Sequence, residues 1–330
     1  MEYKINNFKE KIDQIEIDNG LGLTAILSNF GAGVYSLKLD GKPLILEFSD
    51  FQDYMYSAGF HGKTLGVVAG RLKGDGYIKG KEYHLKNDPD KNFSLHGGNQ
   101  NSISYRPWKY SIRESNKKLS VIFRIATKNN ENGFPGKANL TVTYEFSKTS
   151  NTFKIWFKAT TPSEATFVNF SNHMYFNFNN SINLDDYYLK MNCDKVAITD
   201  PYLLITGVQD ITKALDFKKS SKLSPRMDWI EKHDFKKTID DTFIFDSDER
   251  RISLKGNEIQ LNMKTDFTSM NIYVDNSLSG GKFINFEGNN LRRAIALEPQ
   301  NFLLNEDEIV LTKDKVFKNY IEYKFKKVVN

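Results

Sequence analysis

The sequence predicts an all-β fold: a large antiparallel β-sandwich with long loops and few short helices. Three observations carry that reading. Apolar and polar residues alternate with period two along most apolar stretches, the pattern of strands with one buried face. Gly, Asn, Asp and Ser separate those stretches at hairpin spacing. Strand–helix alternation is absent, which argues against parallel α/β architectures.

The elements follow in chain order. Asp40-Gly41 lies between VYSLKL and PLILEF, a type I′ hairpin signal, because both central residues of that turn need positive φ. EFSDFQDYMY fits a short turn of helix. Gly80-Lys81 separates Tyr77-Ile78 from Tyr83-His84-Leu85. LSVIFRIAT, ANLTVTYEF and NTFKIWFKAT read as successive antiparallel strands. Ser224-Pro225 ahead of RMDWIEKH offers an N-cap and a proline at the first helical position, so one or two helical turns are expected. Gly256-Asn257 separates Arg251–Leu254 from Ile259–Met263. Ile321, Tyr323 and Phe325 alternate with Glu322, Lys324 and Lys326, a half-buried strand. No repeat, low-complexity tract or linker-like break divides the chain, so residues 1–330 read as one domain.

Composition narrows the class. Hydrophobic residues are 39% and aromatics 13%, as in a soluble globular protein. Lys+Arg 46 against Asp+Glu 41 leaves +5, too weak a charge to suggest a nucleic-acid partner. The lysines at 218, 219 and 222 and near the C-terminus read as solvated faces. Cys193 is the sole cysteine, which excludes an intrachain disulfide and a four-thiolate zinc site and fits a reducing compartment. MEYKINNFKEKID lacks the apolar core of a signal peptide, and no apolar run approaches membrane-spanning length. A cytoplasmic protein with no membrane partner is the expectation.

Few residues carry chemistry. The histidines are His61, His84, His96, His173 and His233, and no pair has HExxH or HxH spacing, so no metal site is expected. His84 belongs on the solvent side of its strand, His233 among charges and His61 in a surface loop. Gly62-Lys63-Thr64 resembles the end of a phosphate-binding loop. Ser57 stands where that loop needs a glycine, and no strand-to-helix transition surrounds it. His96, in SLHGG, is either a packed imidazole or a site wall, since two glycines let the backbone turn sharply. His173, in FVNFSNHMYFNF, sits on an expected strand beside Asn172 and Asn177. It is either a satisfied core histidine or a general acid. Glu298, in RAIALEPQNF, ends a buried strand, where a carboxylate needs a function or a partner such as Arg71, Arg292 or Arg293. Asp240, in KTIDDTFIF, begins an aromatic strand as a turn cap or a site residue, with Asp241 competing for the role.

Taken in order, these segments resemble the aldose 1-epimerase (galactose mutarotase) family. The matching stretches are TLGVVAGRLKGDGYIKGKEYHLKNDPDKNFSLHGG, NGFPGKANLTVTYEF, SNHMYFNF, IDDTF and LEPQNF. The resemblance in order and spacing extends from about residue 20 to residue 326. Two departures are visible: Gly70 where many members have Asn, and Asn301-Phe302-Leu303-Leu304 after the Glu-x-Gln segment. The resemblance implies a β-supersandwich isomerase that interconverts the anomers of a free aldose without cofactor or metal. It implies Glu298 as general base, His173 as general acid and His96 as a second imidazole at the ring oxygen and anomeric centre. Arg71 and Asp240 would bind sugar hydroxyls, and Tyr273, in SMNIYVDN, would line the pocket. The implied partner is a small-molecule aldose, with the protein a monomer or homodimer. A hexose-6-phosphate epimerase would need extra Arg or Lys at the rim. A non-catalytic sugar-binding module would not need both His173 and Glu298, and no motif supports a two-carboxylate glycosidase.

Overall fold

In the computed structural model, residues 1–85, 92–275, 282–284, 286 and 292–328 are described. The alternating segments form antiparallel sheets. In spatial order, one sheet runs Lys109–Glu114, Lys118–Ala126, Asn139–Ser147, Thr152–Thr160, Phe317–Lys327, Ile259–Thr265, Arg251–Gly256, Tyr188–Met191 and Ser221–Lys222. A second runs Tyr175–Phe176, Ile295–Gln300, Ser269–Val274, Asp240–Phe245, Cys193–Thr199 and Ile205–Asp210. An N-terminal sheet holds Glu2–Lys9, Ile12–Asp18, Leu23–Ser28, Gly33–Leu39 and Lys42–Pro43 in sequence order.

The first two sheets pack face to face through aromatic rings. Phe146, Phe153 and Tyr323 stack at 5.2 and 4.7 Å within the first sheet, and Tyr323 meets Phe176 of the second at 6.1 Å. Ile321, Tyr323 and Phe325 are all buried, as their alternation requires.

Local chemistry explains where the structure departs from expectation. Asp40 and Gly41 both have positive φ, as a type I′ turn demands, but the strand after them stops at Pro43. In the 251–265 hairpin the positive φ values fall on Asn257 and Glu258. Gly256 stays in its strand, and a Cβ there would lie 2.8 Å from the Tyr187 ring, which explains the glycine. The helix after Ser221–Lys222 spans Leu223–His233, with Lys222 at its N-cap and Pro225 tolerated inside its first turn. It outgrows one or two turns because Leu223, Met227 and Ile230 give it a buried stripe. The short helix Phe51–Tyr56 is capped by Asp50, whose carboxylate accepts from the Gln52 N–H.

Gly62-Lys63-Thr64 is no phosphate loop. Lys63 is fully buried, donates to the Tyr54 carbonyl at 2.5 Å, and lies over the Tyr54 and Tyr105 rings. Burial pushes its amine down to about 7. No helix among the described residues is long and apolar enough to cross a membrane.

Candidate active site

The second sheet supplies the floor of a cavity of about 280 Å³. Side chains of successive strand residues point to opposite faces, so residues two apart share one. Asp240 with Thr242, Asn271 with Tyr273, and Glu298 with Gln300 all line the cavity. Register aligns them across strands: Glu298 opposes Asn271, Asn271 opposes Thr242, and Tyr273 opposes Asp240. The facing wall holds Gly70, Arg71, His96 and His173, and Tyr175 comes from the edge strand of the same sheet. Each of the six site residues expected from sequence therefore lines this one cavity.

His96 is presented by strained backbone. Its φ is +50°, and Gly97 and Gly98 follow with φ of +83° and +112°. A Cβ at Gly97 would lie 2.0 Å from the Gly66 carbonyl oxygen, so that approach admits only glycine. The Gly70 N–H donates to His96 Nδ1 at 3.1 Å. Nδ1 therefore carries no proton, and neutral His96 presents an Nε2–H.

His173 lies between the two-residue strands Ser171–Asn172 and Tyr175–Phe176 rather than on one continuous strand. Its N–H donates to the Lys63 carbonyl at 3.0 Å, and its own carbonyl accepts from the Gly62 N–H at 2.8 Å. Asn172 donates to the Gly62 carbonyl and the Tyr144 hydroxyl, which locks the preceding backbone. The His173 ring stacks on Tyr175 at 4.7 Å and meets His96 edge-on at 5.5 Å.

Tyr175 stacks in turn on His61 at 4.2 Å. His61 is thus not in a surface loop. It is buried, its Nδ1 hydrogen-bonded to Ser57 Oγ at 2.8 Å and its ring also packed on Phe48. Tyr175 comes from a remote segment of the chain, which is why the neighbours of His61 in sequence misled.

Glu298 is 1% exposed and does not end its strand, which continues through Pro299 to Gln300. Past Ala296 that strand is paired on one side only among the described residues, so a residue without an N–H is tolerated. Glu298 Oε1 accepts from Asn271 Nδ2 at 3.2 Å and lies 3.5 Å from His173 Nε2. Oε2 is buried and has no hydrogen-bond partner among the described residues. The arginines expected as partners are engaged elsewhere: Arg292 with Asp185, Asp228 and Glu231, Arg293 with Asp275, and Arg71 with Asp240.

Burial dominates the protonation chemistry. It pushes the Glu298 carboxyl up to about 8, against the Asn271 hydrogen bond and Arg71, with Asp240 adding to the rise. It pushes His173 down to about 3 and His96 well below the usual imidazole range. Between those limits the Glu298–His173 pair holds a single proton, which burial alone places on the carboxyl.

Arg71 Nη2 lies 3.9 Å from Asp240 Oδ2, and both side chains are partly exposed to the cavity. Asp241 points the other way, into a buried ion pair with Lys236. Asn271, Thr242, Gln300 and Tyr175 are cavity residues that the sequence reading did not single out. The position two residues from each expected site residue was the available signal. The ligand-capable atoms of His96, His173 and Glu298 lie within 4.8 Å of one another. These are the atoms that could meet a divalent ion, and equally the atoms that two proton transfers require.

The family model for aldose 1-epimerase matches residues 13–324. An aldose 1-epimerase of Streptococcus thermophilus is 30% identical over 192 residues, covering 57% of this chain and 54% of that protein. The galactose mutarotase of Mus musculus is 28% identical over 241 residues, covering 70% of this chain and 66% of that protein. The alignments thus span about half to two thirds of those relatives' length. The crystal structure of galactose 1-epimerase from Lactobacillus acidophilus superposes with a TM-score of 0.88 at 23% identity. It covers 99% of each chain and shares the fold.

Proposed function

The chain belongs to the aldose 1-epimerase family, and we propose that it interconverts the α and β anomers of a free hexose, galactose or glucose, by acid–base ring opening. The observation that carries this reading is the buried Glu298–His173 pair. The two groups lie 3.5 Å apart, burial favours the neutral form of each, and one carboxyl oxygen has no partner among the described residues.

Ring opening needs the anomeric hydroxyl to lose a proton while the ring oxygen gains one. In the reactive form the proton sits on His173 and Glu298 is a carboxylate. A sugar hydroxyl donating to Oε2 favours that form, because a hydrogen bond to a carboxylate stabilises its charge. Glu298 Oε2 then takes the O1 proton, and His173 delivers its proton to the ring oxygen, which His96 supports with a hydrogen bond from its Nε2–H. The C1 aldehyde turns about C1–C2, and closure on its other face runs the transfers in reverse. Arg71 and Asp240 hold hydroxyls, and the Tyr273 ring covers the sugar's C–H face.

The cavity's small volume suits a monosaccharide. Among the described lining residues, Arg71 is the only lysine or arginine, and Asp240 faces it. That favours a neutral sugar over a hexose 6-phosphate. A buried carboxyl oxygen with no partner among the described residues, on a residue that lines the cavity, favours catalysis over simple binding. The single buried thiol of Cys193 fits a cytoplasmic location. Polarimetry on freshly dissolved α-D-galactose and α-D-glucose tests the reading. Acceleration of mutarotation by the protein is expected, and no acceleration for any free aldose would overturn it.

A further inference from the structure

Asn271 and Thr242 extend the Glu298 carboxyl into a chain of hydrogen bonds that crosses three strands of the sheet. Thr242 Oγ1 donates to Asn271 Oδ1 at 3.1 Å, and Asn271 Nδ2 donates to Glu298 Oε1 at 3.2 Å. Backbone register sets this geometry, because the three residues are direct cross-strand partners. An amide has one acceptor end and one donor end. With Thr242 satisfying the acceptor end, the donor end faces the carboxyl. The two Glu298 oxygens are thereby made unequal: Oε1 is held, and Oε2 is unpartnered.

We propose that Thr242 is a positioning residue, whose hydroxyl fixes the Asn271 amide so that Glu298 presents Oε2 to the sugar and is supported as a carboxylate. This rests on the epimerase reading of the same site. Hydrogen bonds in a chain strengthen one another, so losing the outer bond weakens the inner one. The titratable and charged groups around Glu298 are His173 and His96 from the facing wall, Tyr175, Asp240 and Arg71. Thr242→Val leaves all of them in place.

Removing the hydroxyl should raise the affinity of Glu298 for its proton and reduce the share of the reactive form. The pair then keeps its proton to higher pH yet works more slowly. For Thr242→Val we expect kcat to fall about tenfold, KM to stay within about twofold, and the alkaline limb of kcat/KM to move up by ~0.5–1 pH unit. Thr242→Ser, which keeps the hydroxyl, should restore wild-type values. Thr242→Ala is the second hydroxyl-free variant should the valine variant fail to fold. A ¹³C-NMR titration of the Glu298 carboxyl in sugar-free protein gives a readout independent of turnover. An unshifted Glu298 titration in both hydroxyl-free variants overturns the proposal, as does a raised KM with an unmoved pH profile. A shifted titration in a protein that accelerates no aldose overturns the epimerase reading and leaves the hydrogen-bond chain standing.

Discussion

Replacing Glu298 by glutamine should make the protein more stable and nearly inactive, with a pH signature. The carboxyl is fully buried, and burial lifts it from an ordinary 4.5 to about 8. The folded protein therefore binds this proton more tightly than the unfolded chain does. The group's contribution is whole below pH 4.5 and is lost as pH rises through 8. One pH unit is worth 1.36 kcal/mol. At pH 7 the wild type has lost about 3 kcal/mol relative to a side chain that cannot ionise, and above pH 8 about 5 kcal/mol. Glutamine has nearly the same volume and can still accept from Asn271. Urea denaturation of both proteins from pH 4.5 to 9 should show Glu298→Gln gaining on the wild type along that curve. Turnover should fall by at least about 100-fold with an unchanged circular dichroism spectrum. A stability difference that ignores pH would refute the burial argument, and a loss of activity below tenfold would refute the assignment of the base.

Arg71→Met and Asp240→Asn should raise KM and lower kcat only as far as the ring is misplaced, and shift galactose–glucose discrimination if either reads the C4 hydroxyl; kinetics on both sugars decide this. Asp241→Asn should leave KM unchanged but lower stability, because it leaves Lys236 only Asp234 at 3.7 Å; a raised KM would place the wrong aspartate in the site. Exhaustive chelation should leave full activity, and loss restored by a divalent ion would contradict the proton-transfer reading of His96, His173 and Glu298. Burial holds His61, His96 and His173 below their ordinary 6.5, so the stability they leave intact above that value is lost as pH falls beneath it. In the Glu298→Gln background the melting temperature should therefore fall from pH 7 to 5, and a flat one would refute this.

Much of this architecture is legible as period two. The alternation in ANLTVTYEF or around Tyr323 reports a buried face directly, and the same alternation separates Asp240 from Asp241. His173 and Glu298 stand out because polar groups in apolar surroundings demand an explanation. What was hidden depends on contacts between distant segments. Thr242 and Asn271 are unremarkable in their own strands and gain meaning only when register sets them beside Glu298. His61 looks exposed until Tyr175 and Phe48 close over it. Pro299 reads as a strand end unless one knows that, among the described residues, no strand pairs with it on one side.

The position of strand Phe317–Lys327 has a consequence for how the protein is made. It lies inside the first sheet, between Thr152–Thr160 and Ile259–Thr265, yet it leaves the ribosome after both. Until it arrives, the two halves of that sheet face each other across a missing strand, each with an unpaired edge. Tyr323, which bridges to Phe176 of the site-bearing sheet, is absent for the same interval. The nascent chain must therefore wait with two open edges, the kind of surface that recruits another copy. Synthesis should be the aggregation-prone stage of this protein's life, and a translation arrest before residue 317 should yield insoluble chains rather than a partly working enzyme.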